Sequence, residues 1–270
     1  MKFKKATKDL HLKSNDRLFL KSKSPFAPKH FKDLKPKGFK IYTSHLGFKK
    51  KNDDLLILIF DKIVNVACKY SLTTTPSAPI IWDKKNNKGR CRALIINSGN
   101  ANAHTGALGI KNIDKYTDEL AKFLSCSKSD ILVSSTGVIG EQLNPNLISE
   151  KIKLLHLSKE KKLIDAARAI GTTDTFVKTS VHKIKIYNQT INCYGFAKGS
   201  GMINPNMATM LAYIFIDCDI TSKNLKKLLS DNIDETFNSI TVDSDTSTSD
   251  TLMLFSNPLK KVKLKNNYKI

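Results

Sequence analysis

The chain has 270 residues, 40% of them apolar, and a formal net charge of +21 from 45 Lys and Arg against 24 Asp and Glu. That length and apolar share suffice to bury a core, which excludes a wholly disordered chain. No apolar run approaches the roughly 18 residues of a membrane span, and no apolar segment follows the basic N-terminus as a secretory leader would require, so a cytoplasmic protein without membrane contact is expected. Only Arg17, Arg90, Arg92 and Arg168 are arginines, so the excess is lysine spread along the chain. This argues against a nucleic-acid docking surface, where arginine forks usually grip phosphate. Cys68, Cys91, Cys126, Cys193 and Cys218 are odd in number and widely spaced, a pattern of reduced core thiols rather than a disulfide framework or zinc site.

In chain order, residues 1–35 form a lysine-rich extension without sustained periodicity, and order is expected to begin near Gly38. Apolar runs predict strands over 55–60, 63–70 and 93–97. Ile113, Tyr116, Leu120, Phe123 and Leu124 recur on one face of a helix predicted over 112–125. A short strand over 131–134 leads into the turn at Thr136-Gly137, and helices are expected over 146–155 and 159–170. A hairpin follows, 176–187 with 190–197, turning at Asn188-Gln189. A buried strand over 209–217, a helix over 222–237 and strands over 240–243 and 251–255 complete an α+β pattern of layered sheets and helices.

Five stretches concentrate glycine, hydroxyl and amide residues where regular elements would be expected: NSGNANA at 97–103, SSTGVIG at 134–140, GTTDT at 171–175, KGSGMINPNMATML at 198–211 and TVDSDTSTSD at 241–250. Glycine lets backbone amides approach a ligand, and clustered hydroxyls and amides supply donors without buried charge. Taken singly, each stretch also fits turns and helix caps. Four aspartates, Asp174, Asp243, Asp245 and Asp250, are candidates for acid–base or metal work, and turn or network roles are favoured for them. Asp243 and Asp245 would share a strand face. No pair of the six histidines has metal-ligand spacing.

Together and in this order, the five stretches resemble the glutamate/ornithine N-acetyltransferase (ArgJ) family, with AKGSGMI-x-P-NMATML at 197–211 the most specific match and YSLTTTPSAP at 70–79 a weaker one. The resemblance implies an αββα sandwich of the N-terminal-nucleophile type. It also implies transfer of acetyl from N2-acetyl-ornithine to glutamate in arginine biosynthesis, with acetyl-CoA as a further co-substrate in some members, and neither metal nor other cofactor. Members cut themselves before the motif threonine, here between Ala208 and Thr209, giving α and β chains that assemble as a hetero-oligomer. Thr209 becomes the nucleophile; its freed α-amino group, with a pKa near 8, can act as general base. By the same mapping Thr136 and Gly137 form the oxyanion hole, Lys198 pairs with the substrate carboxylate, and either Thr172 or Thr173 contacts substrate.

The resemblance divides the chain into the extension 1–35, an α-chain-like part 36–208, the start of a β-chain-like part 209–257 and a non-matching tail 258–270. Within the matched part Gly171 replaces a usual methionine, His104 a usual cysteine, and Ser244 and Ser249 the glycine and asparagine of VDGDTSTND. Family members continue beyond this point with a substrate-binding glutamate, an asparagine and a threonine. The expectation is therefore a sandwich and a site incomplete at the C-terminus, and either a remnant with reduced activity or a chain completed by a separate partner. Two other functions fit parts of the pattern: an N-terminal-nucleophile amidohydrolase, and a basic nucleic-acid-binding module on an old scaffold.

Overall fold

The computed structural model describes residues 36–186, 189–202, 210–243 and 247–260. Among these described residues eight strands form one sheet in the order β4-β3-β2-β8-β7-β6-β5, with β1 paired to β2 off that path. The organising element is β2 (Leu55–Tyr70), 16 residues long. Its register with β3 (Arg90–Asn100) shifts between Ile59 and Val64, where Asp61, Lys62 and Ile63 are exposed. The half before the bulge pairs with β1 (Phe39–Ser44) and β3; the half after it keeps β3 only at Val64 and Asn65 and pairs with β8 (Thr251–Lys260). A bulge bends a strand and increases its twist. Here the bend lets the sheet fold over on itself, so the separate strands expected over 55–60 and 63–70 are one strand serving two layers.

The alternation of side chains along β2 assigns the faces. Leu56, Leu58, Phe60, Val64 and Val66 point inward, with Leu94, Ile96 and Leu132 of one layer and Tyr194, Phe196, Tyr213, Phe215, Met253 and Phe255 of the other. Phe39 of the first layer stacks on Phe215 of the second at 4.6 Å between ring centroids. Burial of such rings stabilises by about 1.5–3 kcal/mol each. The outward residues of the first layer, among them Leu55, Ile57, Ala93 and Ile95, pack under α1 (Ala78–Asn86), α2 (Gly106–Leu124) and α3 (Pro145–Lys153). Those of the second, including Ala67, Ala212, Leu252 and Leu254, pack under α5 (Ser222–Asn232). The layers thus run helices, sheet, sheet, helix, the αββα arrangement expected. α4 (Leu163–Ile170) packs into the shared interior, contacting β1, β2, β3, β5 and β6. Its Ala166, Ala167 and Ala169 allow that close approach.

The remaining strands are β4 (Ile131–Val138), parallel to β3 through the α2 crossover, and β5 (Lys178–Ile186), β6 (Gln189–Lys198) and β7 (Leu211–Cys218). β7 and β8 are parallel and lie between β6 and β2. Of the hairpin turn expected at Asn188-Gln189, Gln189 opens β6 and Asn188 lies outside the described residues.

Two further expectations are corrected. Residues 240–243 form no strand, only a bend at 242–243: the Ile-Thr-Val-Asp alternation has strand period but pairs with no strand among the described residues, and Ile240 and Val242 stay exposed. Hence Asp243 sits on no strand face, and Asp245 lies outside the described residues. The helix expected to reach 237 ends at Asn232 and is followed by a separate 3-10 turn at Phe237–Ser239. α1 and β1 were not anticipated. In α1, Pro79 supplies the helix start, but apolar, acidic and basic residues follow without clear periodicity.

Candidate active site

Strand register gathers the motifs at one end of the sandwich. Lys198 pairs with Leu211, and Leu211 with Thr251. One step outward, Gly199, Met210 and Asp250 therefore lie along the rim of the second layer. In the first layer Ser98 pairs with Thr136 and Gly99 with Gly137, which sets the NSG and STG motifs side by side.

The first-layer rim is a network of neutral groups. Ser135 Oγ donates to Asn97 Oδ1 at 2.6 Å, Asn97 Nδ2 to the Asn100 carbonyl at 2.7 Å, and Ser98 Oγ to the Ala169 carbonyl at the end of α4 at 2.5 Å. Gly137 requires its residue type. Its φ is +135°, and a Cβ there would lie 2.2 Å from the Gly99 carbonyl carbon. The absence of a side chain leaves the backbone beside Thr136 tight against the neighbouring strand.

The two layers meet through Lys198 and Thr136. Lys198 is 4% exposed and Thr136 5%, and Lys198 Nζ donates to Thr136 Oγ1 at 2.9 Å. Burial lowers the Lys198 pKa, opposed by the carboxylates of Asp174 and Asp250 and assisted by Lys178. An ammonium has three donors, and one of them here is engaged by a neutral hydroxyl, with the two acidic groups acting through space. Asp174, 5% exposed, is the hub beneath it. Its carboxylate accepts from Gly199 N at 2.8 Å, Lys178 Nζ at 2.6 Å and Thr172 N at 3.2 Å. Burial pushes its pKa up, but the Gly199 amide, Lys178 and Lys198 outweigh that and hold it below the usual carboxylate range. Thr172 is half-buried; Thr173 is exposed, with its Oγ1 2.8 Å from Ser200 Oγ. Both threonines stand on the turn that Asp174 fixes.

Two groups beside the site were not singled out by the sequence or not distinguished by it. Lys49 donates to the carbonyls of Ala169 at 2.9 Å and Gly171 at 3.1 Å, anchoring the start of the 171–175 turn. Burial lowers its pKa to about 8, against the pull of Asp54, Asp53 and Asp174. Its loop is itself held by Asp54, which accepts from the amides of Leu46, Gly47 and Lys49. Asp250, 0% exposed, accepts from Met210 N at 2.6 Å. The 70–79 segment supports it from behind, with Ser71 N donating to the Asp250 carbonyl and Ser71 Oγ to the Ser247 carbonyl.

Of the expected site residues, the structure brings Thr136, Gly137, Thr172, Thr173 and Lys198 to one end of the sandwich. Ala208 and Thr209 lie outside the described residues; the described chain resumes at Met210, on the same rim. Asp243 accepts from Met202 N at 2.6 Å. Among the described residues no group of three or more His, Cys, Asp or Glu side chains could hold a metal ion, and no helix is long and apolar enough to cross a membrane.

The sequence matches the ArgJ family over residues 40–269. The arginine biosynthesis bifunctional protein ArgJ of Agrobacterium fabrum is 42% identical over 237 residues, which are 86% of this chain and 57% of that protein. Among solved structures, ArgJ from Bacillus halodurans is 33% identical with a TM-score of 0.58, covering 64% of this chain and 92% of that one. The ornithine acetyltransferase of Mycobacterium tuberculosis, solved with ornithine, is 25% identical with a TM-score of 0.53, covering 65% and 94%. The chain spans little more than half the length of the curated relatives it matches.

Proposed function

Because the chain belongs to the ArgJ family, we propose that it carries acetyl transfer from N2-acetyl-ornithine to glutamate through an acetyl-Thr209 intermediate, after cutting itself between Ala208 and Thr209. The observation that carries this reading is the contact between Lys198 and Thr136. Two residues 62 apart in sequence, one from each layer, are buried together at the rim where the chain re-enters at Met210.

The chemistry follows from donors and acceptors. The Thr209 hydroxyl attacks the Ala208 carbonyl, the amide becomes an ester, and water hydrolyses the ester to an Ala208 carboxylate and a free Thr209 amine. That amine then takes the hydroxyl proton as Thr209 attacks the acetyl carbonyl of N2-acetyl-ornithine. The proton passes to the departing amine of ornithine; the α-amine of glutamate then attacks the acetyl ester and gives up a proton through the Thr209 amine to the Thr209 oxygen, which leaves as the ester C–O bond breaks and N-acetylglutamate is released. Each tetrahedral intermediate needs donors for its oxyanion, worth about 3–4 kcal/mol apiece. Thr136 suits this role: its oxygen already accepts from Lys198, so its own hydrogen is free to donate. Gly137 offers the adjacent amide. The remaining donors of Lys198 suit an α-carboxylate, and Thr172 or Thr173 adds a hydroxyl. Acetyl-CoA would reach the same nucleophile by the same attack.

In this reading the α-chain-like part ends at Ala208, and β7 and β8 as far as Asn257 belong to the β-chain-like part. Those strands are hydrogen-bonded between β6 and β2, which supports cut pieces that stay together as a hetero-oligomer. None of the five cysteines, all among the described residues, is in a disulfide, which supports a reducing, cytoplasmic setting.

Intact-mass spectrometry of the purified protein beside Thr209→Ala tests the reading. Two pieces, one ending at Ala208 and one beginning at Thr209, are expected from the parent and a single whole chain from the variant. A parent that stays whole under all conditions refutes it.

A further inference from the structure

We infer that Asp250 is a positioning residue for the nucleophile, acting by its grip on the peptide unit that follows Thr209. This inference rests on the acetyl-transfer reading for what the nucleophile does.

The geometry is a two-sided clamp on one residue. Met210 N, which belongs to the peptide unit joining residues 209 and 210, donates to Asp250 Oδ1 at 2.6 Å. The Met210 carbonyl accepts from Thr251 N at 3.0 Å. Both clamp residues are consecutive at the start of β8, and β8 is fixed between β7 and β2. Asp250 has its own backbone held by Ser71, whose amide donates to the Asp250 carbonyl at 3.0 Å. Met210, the residue after Thr209, is therefore held at both its amide and its carbonyl by the core.

A role confined to folding does not explain the choice of residue. Asp250 is fully buried, with the Met210 amide on its Oδ1 and the Ser247 hydroxyl as a further partner. Keeping a carboxyl at a buried position is costly even when it is hydrogen-bonded. Burial drives its pKa up to about 7, against the Met210 amide, the Ser247 hydroxyl and the Lys198 ammonium, which pull it down. The same carboxyl in turn raises the pKa of Lys198. Asp250 thus links the peptide beside the nucleophile to the cation expected to bind substrate.

The test uses the full chain as Asp250→Ala and Asp250→Asn, with self-cutting followed over time by intact mass and Met210 amide exchange followed by hydrogen–deuterium exchange. Asp250→Ala is expected to slow the cut by about 100-fold, the scale of a misplaced reacting group, and to deprotect the Met210 amide. Asp250→Asn keeps an acceptor oxygen and is expected to restore cutting to within about 10-fold of the parent, with the amide protected again. A purely structural aspartate would instead lower the melting temperature of both variants and leave the cutting rate of folded protein unchanged, which overturns the inference. Should Asp250→Ala fail to fold, Asp250→Asn decides alone: an unprotected Met210 amide in that folded variant sinks the clamp. If the parent itself never cuts, the nucleophile reading fails, and the clamp is judged on Met210 protection: equal exchange in parent and Asp250→Ala rejects it.

Discussion

The two layers bring different chemistry to the same rim. The β3–β4 layer contributes amides and hydroxyls, Asn97, Ser98, Ser135 and Thr136, bonded to one another, to backbone and to Lys198. The second layer and the turn after α4 contribute charge: Lys198, Asp174 and Asp250, with Lys178 at the flank. The neutral rim has no member that titrates in the working range, so its shape is constant with pH. The charged rim holds a carboxyl near 7 and a lysine lowered by burial. Shape is thus set by one layer and charge by the other, and substitutions in the two should fail in different ways.

The largest effect is expected in the neutral layer. Gly137→Ala places a Cβ 2.2 Å from the Gly99 carbonyl carbon at a φ of +135°. Neither strand can retreat without breaking the β3–β4 pairing, so a loss of about 3 kcal/mol or more is expected, together with self-cutting. Chemical denaturation measures it, and an unchanged midpoint would show the strand junction to be softer than the packing implies.

The next contrast is Lys198→Met. It removes a buried cation whose hydrogen-bond partner is a neutral hydroxyl, so stability should hold or rise. Transfer should nevertheless fall by about 100-fold in kcat/KM, mostly through KM, because a carboxylate contact is present before and during the reaction. A variant that loses stability and keeps KM would move Lys198 from substrate binding to structure.

How far the sequence revealed these layers depends on what each residue does locally. Apolar alternation made most strands legible, and the glycine- and hydroxyl-rich stretches marked the rim before any contact was known. The strand expected over 240–243 failed because alternation cannot tell whether an edge is available. Lys49 was illegible: it is the first of three consecutive lysines, and only the fold carries its ammonium to carbonyls 120 and 122 residues away. Asp250 was visible as one of four candidate aspartates, but its burial and its grip on Met210 are properties of β8 meeting β7. The expectation for Ala208 and Thr209 rests on their motif alone, and both lie outside the described residues.

A smaller effect separates the charged groups by pH. Asp250 has a folded pKa of about 7, above the ordinary 3.8. The folded state therefore holds an extra proton between those values, and its contribution to stability is full below about 4 and is lost as pH rises through 7. Lys49 runs oppositely, with a folded pKa of about 8 against 10.5. Its contribution is present above about 10.5 and is lost as pH falls through 8. Each slope is at most about 1.4 kcal/mol per pH unit. Unfolding midpoints from pH 4 to 10.5 should lose the first slope in Asp250→Asn and the second in Lys49→Met. Persistence of either slope in its variant would assign it to another group.

The smallest effect sharpens what is particular to Asp250. Asp83 is equally buried, and burial raises its carboxyl well above the ordinary range despite the Val133 amide and the Tyr70 hydroxyl. Yet both of its oxygens are occupied: Oδ1 accepts from Val133 N at 3.1 Å, and Oδ2 lies 3.2 Å from Tyr70 Oη. It sits in α1, and neither of these two contacts is with an expected site residue. An amide can reproduce those two contacts, one oxygen accepting from the backbone and one nitrogen donating to the phenol oxygen. Asp83→Asn should therefore change stability by about 1 kcal/mol or less and leave self-cutting at the parental rate. If it slowed the cut as Asp250→Ala is expected to, buried carboxyls in general would sustain the rim, and the special place of Asp250 beside the nucleophile would be lost.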